Sequence, residues 1–189
     1  MLIIGDVHGK VDSYWKLIQS ESKSIQLGDF GFTQQHEWHI KNCDPTKHKI
    51  VFGNHDDYSY FNYPHSLGNF SITPEGIFTI RGAESIDKHH RTENISWWKE
   101  EELNWGEANE VIDNYKKTKP EVVISHDCPE SVCIRYFGYH GSFTRKLLQN
   151  LFEFHQPMLW IFGHHHKSKN DTIDGTRFIC LNELETITL

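Results

Sequence analysis

The chain has 189 residues, of which 37% are hydrophobic and 24% charged, and its net charge is -7. That length fits one domain, residues 1–189, with enough buried surface for a core without covalent staples. The composition excludes a fibre or a disordered chain, and the acidic balance excludes the basic footprint of a typical nucleic-acid binder.

In chain order, Leu2 to Gly5 is a short apolar run ending in glycine, which predicts a buried strand. Val11, Tyr14, Trp15 and Ile18 recur near helical spacing and predict an amphipathic helix over 11–23. Ser24 to Gly28 reads as a strand, Thr33 to Asn42 as a helix and Lys49 to Gly53 as a third strand. Asp56 to Pro64 is aromatic and irregular. Phe70 to Ile72 and Ile77 to Ile80 flank the turn signal Thr73-Pro74-Glu75-Gly76, which predicts an antiparallel pair. Ser96 to Leu103 predicts a helix capped by Ser96, and Glu107 to Lys117 a second one. Glu121 to Ser125 reads as a strand, Ser142 to His155 as a helix, and Met158 to Gly163, Arg177 to Leu181 and Glu185 to Leu189 as late strands. Strands alternating with helices predict an α/β fold, with layered mixed β-sheets flanked by α-helices.

Five of these strands end in polar text: Gly5-Asp6-Val7-His8-Gly9, Gly28-Asp29-Phe30-Gly31, Gly53-Asn54-His55-Asp56, Ser125-His126-Asp127 and Gly163-His164-His165-His166. In open α/β sheets the functional crevice lies outside the carboxyl ends of the strands, so five such ends would converge there. Taken singly, Gly-Asp or Gly-Asn after a strand is usually only a turn, and a lone histidine is more often structural. The joint pattern, in a chain with fourteen histidines, is different. Carboxylates, imidazoles and one amide oxygen make a nitrogen/oxygen donor set that suits Mn, Fe, Zn or Ni. Two ions roughly 3.5–4 Å apart are a standard device for phosphoryl chemistry, and a carboxylate such as Asp29 can bridge them.

The ordered set Asp-x-His, Gly-Asp, Gly-Asn-His-Asp, lone His and Gly-His-x-His, from Asp6 to His166, resembles the calcineurin-like metallophosphoesterase superfamily. The resemblance implies that Asp6, His8 and His166 bind a first metal, that Asp29 bridges, and that Asn54, His126 and His164 complete a second. It implies two divalent ions, Mn foremost, and a hydroxide between them that attacks phosphorus in line. His55 would assist the leaving oxygen and Asp56 would orient His55. His165 should point away and not be a ligand.

Protein phosphatases of this superfamily carry arginines that grip phosphate. Here Gly28-Asp29-Phe30-Gly31-Phe32 and Asp57-Tyr58-Ser59-Tyr60 lack them, which disfavours a phosphoprotein substrate. The segment 81–91, followed by Ser96-Trp97-Trp98, resembles an uncharacterised bacterial and bacteriophage branch. It puts His89, His90 and Arg91 forward as substrate-phosphate ligands, against the alternative of a solvated loop. The expectation is a phosphomonoesterase or phosphodiesterase for a small, nucleotide-like substrate; the alternatives are a metal-dependent nuclease and a non-catalytic scaffold. The start Met-Leu-Ile-Ile-Gly-Asp shows no signal peptide, no apolar run nears the roughly 20 residues that cross a bilayer, and Cys43, Cys128, Cys133 and Cys180 form no Cys-x-x-Cys pair. A cytoplasmic protein with free thiols and no membrane partner is expected.

Overall fold

The computed structural model describes residues 1–138 and 141–189. Its first part runs β1 (Leu2–Ile4), α1 (Val11–Ile18), β2 (Ser24–Gln26), α2 (Thr33–Asn42), β3 (His48–Ile50), β4 (Phe70–Ile72) and β5 (Ile77–Ile80). The second runs α3 (Trp105–Thr118), β6 (Val122–Ser125), α4 (Glu130–Phe137), α5 (Phe143–Phe154), β7 (Leu159–Phe162), β8 (Lys169–Ile173), β9 (Thr176–Cys180) and β10 (Thr186–Thr188).

Two mixed sheets form. One has the order β10-β1-β2-β3, the other β4-β5-β6-β7-β9-β8. Strands β1, β2 and β3 are parallel, as are β5, β6, β7 and β9; the antiparallel strands β10, β4 and β8 sit at the edges. Successive strand residues face opposite sides, and both sides are apolar here. Ile3, Ile25, Ile77, Ile124, Ile161 and Ile179 meet in one buried cluster between the sheets. Their neighbours point outward: Leu2 and Ile4 join Tyr14, Ile18 and Phe30 under α1 and α2, while Phe78, Trp160 and Phe178 join Val111, Leu148 and Phe152 under α3 and α5. The layers are therefore helix, sheet, sheet, helix. Strands buried on both faces explain why these runs are continuously apolar rather than alternating. No helix among the described residues is long and apolar enough to cross a membrane.

Four local readings need correcting. The helix predicted from Ser96 to Leu103 is absent; only a 3-10 turn, Lys99–Glu101, forms there. Ser96 Oγ accepts from the Thr92 N–H at 3.1 Å, so it closes a backward loop instead of capping a helix. The working cap lies further on, where Asn104 Oδ1 accepts from Gly106 and Glu107 N–H and Glu107 returns to the Asn104 N–H at 2.9 Å. Helix α4 and strand β8 are additions. Pro129 before α4 and left-handed Gly138 after it are the usual start and stop signals. Strand β8 reads Lys-Asn-Asp-Thr-Ile, an exposed polar edge with no periodic apolar face. Helix α1 also stops at Ile18 rather than continuing to Lys23.

Candidate metal centre

The parallel strands bring their carboxyl ends to one side, and the loops that follow carry the candidate donors. Asp6 and His8 follow β1, Asp29 follows β2, Asn54 follows β3, His126 follows β6, and His164 and His166 follow β7. Donor atoms of Asp6, His8, Asp29 and His166 lie within 4.8 Å of one another, as do those of Asp29, His126 and His164, so Asp29 belongs to both groups. His166 Nε2 is 3.2 Å from Asp6 Oδ2, and His126 Nε2 is 3.2 Å from Asp29 Oδ1. His126 Nε2 is also 3.1 Å from Asn54 Oδ1. All seven predicted donors are thus brought together.

The backbone is arranged for this approach. His8, Asp29, His164 and His166 all have left-handed φ, between 46° and 65°. Such residues cost on the order of 1–3 kcal/mol each and persist only where their surroundings hold them. Asp29 O holds one such bend by accepting from the Val7 and His8 N–H groups at 3.1 and 2.8 Å. Two glycines give room: a Cβ on Gly53 would lie 2.3 Å from Asp29 Oδ1, and one on Gly163 would lie 2.3 Å from Asp6 Oδ1.

Secondary contacts fix which atom faces inward. His126 Nδ1 donates to Leu27 O at 2.8 Å, which leaves Nε2 as the nitrogen that faces Asp29. Asn54 Nδ2 donates to Ser85 Oγ at 3.0 Å, which turns Oδ1 inward. His164 Nδ1 is buried without a hydrogen-bond partner among the described residues. Glu183, just beyond β9, stands 3.7 Å from His166 Nδ1 and pairs with Lys10. It went unnoticed in the sequence because the end of β9 lacks the Gly-Asp or Gly-His text of its neighbours.

The electrostatics favour a cation. Burial would raise the Asp6 carboxyl, but hydrogen bonds from His166 and His8 bring it down to about 2. Burial would likewise raise Asp29, yet His126 drives it well below the carboxylate range. Burial would lower the His126 imidazole, but Asp29 and Asp6 outweigh this and raise it to about 10. His164, by contrast, is pushed down to about 3, by burial first and then by His126 and His165. Two buried carboxylates that hold protons on neighbouring imidazoles, beside an orphaned imidazole nitrogen, fit divalent ions: binding would displace those protons.

The other predicted residues divide. His55 sits at the rim, its ring 5.4 Å from that of His8, and its Nε2 contacts Arg91 Nη2. Arg91 is itself anchored by Asp87, with Nε to Oδ2 and Nη2 to Oδ1 both 2.9 Å. A cleft of about 340 Å³ opens over Asp29, Asn54 and His164, with His55, Arg91 and Asp87 along its wall. His89 and His90 are exposed on the 3-10 turn Lys88–His90, ring to ring at 4.5 Å, and do not line this cleft. Asp56 does not orient His55. Its carboxylate accepts the N–H groups of Asp29, Phe30, Gly31 and Gly53 at 2.7–3.1 Å and stands 3.2 Å from His36 Nε2. It ties the β2 and β3 loops together. His165 turns from the donors and stacks on Phe137, ring centroids 3.8 Å apart.

Residues 1–168 match the family model described as calcineurin-like phosphoesterase. No curated protein sequence matches the chain. Among solved structures, protein TT1561 of Thermus thermophilus aligns with a TM-score of 0.56 and 11% identity, over 96% of this chain and 89% of its own. The phosphopantetheinyl hydrolase of Mycobacterium tuberculosis aligns at 0.54 and 14%, over 96% and 89%. A dimetal phosphatase of Danio rerio aligns at 0.54 and 13%, over 97% and 87%. At these identities the likeness establishes the fold.

Proposed function

The chain belongs to the calcineurin-like phosphoesterase family, and from that premise we propose that it hydrolyses a small phosphate ester at a dinuclear metal centre. The observation that carries this reading is the double membership of Asp29 in two donor groups. In it, Asp6, His8 and His166 hold one ion, Asn54, His126 and His164 the other, and Asp29 is shared. Mn is our expected metal, since hard carboxylate and amide oxygens stand beside imidazoles. When bound, the ions supply Lewis acidity and make water acidic enough to ionise near neutral pH.

The chain's own residues do the rest. Arg91, held in a two-point grip by Asp87, faces the cleft with guanidinium N–H groups that suit phosphate oxygens. Burial, with the charges of Arg91 and His8, holds the His55 imidazole below its ordinary value. An incoming phosphate supplies the opposite charge that raises it, so His55 gains a proton on substrate binding and passes it to the leaving oxygen. The cleft volume of about 340 Å³ falls at the lower end of the roughly 300–1,000 Å³ of small-ligand sites. That size, with the chain's net charge of -7, favours a small nucleotide-like ester over a nucleic-acid strand. Residues 1–189 act as one domain in this reading, in a reducing compartment such as the cytoplasm that suits four cysteines free of disulfides.

The test is to purify the protein, measure bound metal, and assay p-nitrophenyl phosphate and bis-p-nitrophenyl phosphate with Mn. Turnover of at least one ester is expected, and His55→Ala should slow the monoester about 10²–10⁴-fold. Absence of both bound metal and turnover would overturn the proposal.

A further inference from the structure

Beside the candidate centre a second group of donors converges. Asp127 and Cys128 follow β6, Cys133 lies in α4 and His165 follows β7. One donor atom from each lies within 4.8 Å of all the others. Asp127, Cys128 and Cys133 are fully buried, and the His165 side chain keeps only 4% exposure.

The separations resemble the edges of a coordination tetrahedron. His165 Nε2 is 3.0 Å from Asp127 Oδ1 and 3.7 Å from Cys128 Sγ. With zinc bond lengths of about 2.0 Å to nitrogen and oxygen and about 2.3 Å to sulfur, tetrahedral edges come to about 3.3 and 3.5 Å. Hydrogen bonding alone explains the group less well. A single Nε2–H can satisfy one acceptor, yet a carboxylate oxygen and a sulfur both face that nitrogen, with the second sulfur close by. A cation answers all four at once. The remaining Asp127 oxygen, Oδ2, accepts from Arg145 Nε at 2.8 Å, and Oδ1 also takes the Cys128 N–H at 2.8 Å. Ligating carboxylates are commonly held in this way from outside. Charge also balances: a divalent ion and the Arg145 guanidinium together neutralise one carboxylate and two thiolates.

We propose that Asp127, Cys128, Cys133 and His165 form a closed tetrahedral zinc site, separate from the dinuclear centre and structural in role. Four protein ligands leave no open position, and Phe137 covers the His165 face. Thiolates select zinc more sharply than the nitrogen and oxygen donors of the centre next door. The position gives the ion its work. Asp127 is joined to His126, and His165 lies between His164 and His166, so one ion clamps the two loops that carry three donors of the neighbouring site.

The test substitutes Co(II) for the native metal in the full-length protein and records its absorption spectrum. The wild type should show thiolate-to-cobalt charge transfer in the near ultraviolet with intense tetrahedral ligand-field bands, both removed by added zinc. The double variant Cys128→Ser, Cys133→Ser should lack them and hold one metal equivalent fewer per chain by elemental analysis. Absence of the band in the wild type overturns the proposal, as does a band that persists in the double variant. If the variant does not fold, the wild-type spectrum still decides. The donors of the dinuclear centre include no sulfur, so its failure to load would not imitate this result.

Discussion

His36 Nε2 stands 3.2 Å from Asp56 Oδ1, and both residues are fully buried. Around them, four main-chain N–H groups from two loops end on the same carboxylate. Asp56→Asn keeps the shape but sets an NH2 group against at least one of these donors. We expect a loss on the order of 3 kcal/mol, and a melting temperature lower by about 10 °C. Weaker Mn binding should accompany it, because the Asp29 loop loses its tether. An unchanged melting curve with reduced kcat alone would instead restore Asp56 as a partner of His55.

Gly53→Ala should cost metal binding more than folding. The added methyl would sit 2.3 Å from Asp29 Oδ1 and 2.6 Å from His126 Nε2, so both donors must move. Calorimetric titration with Mn should show affinity at least about tenfold weaker. Wild-type affinity would mean that the donors do not need this close packing.

Arg91→Ala should lower kcat/KM for a phosphomonoester about 10- to 100-fold, the worth of a charge-assisted pair of hydrogen bonds. Arg91→Lys should recover only part, since an ammonium lacks the planar fork. His89→Ala with His90→Ala should leave kcat/KM near the wild-type value, because both rings lie outside the cleft. Equal losses from all three positions would return the whole turn to the substrate site.

Glu101 gives the chain a pH signature. Burial raises its carboxyl from 4.5 to about 7, in spite of Ser85 and the Trp98 N–H, and its Oε2 has no hydrogen-bond partner among the described residues. The folded protein therefore keeps a proton that the unfolded chain has lost. This contribution is fully present below about 4.5 and is lost as pH rises through about 7. Thermal melts of Glu101→Gln and wild type should nearly coincide at acidic pH, and the variant should melt higher in mild alkali. Parallel melts across that range would remove Glu101 as the cause.

What could be read from the sequence was what depends on neighbours in the chain. Strand ends, glycines and the donors after them are local text, so Asp6, His8, Asp29, Asn54, His126, His164 and His166 were legible together. Asp56 was misread because its partners, the 29–31 amides and His36, come from a different loop and helix. Strand β8 was missed because an edge strand in water needs no apolar stripe. The predicted helix at Ser96 failed because a short hydroxyl can cap forward or bond backward, and only the packing around Thr92 and Arg91 decides.

The left-handed bends at His8, Asp29, His164 and His166 restrict what mutation can explore here. Each position must supply a donor and also tolerate a backbone that only glycine, asparagine, aspartate and histidine enter with ease. The usable alphabet at these four places is short, and it excludes cysteine and glutamate replacements that coordination chemistry alone would permit. Reprogramming this centre for another metal would therefore begin at Asp6, Asn54 or His126, where the backbone imposes no such limit.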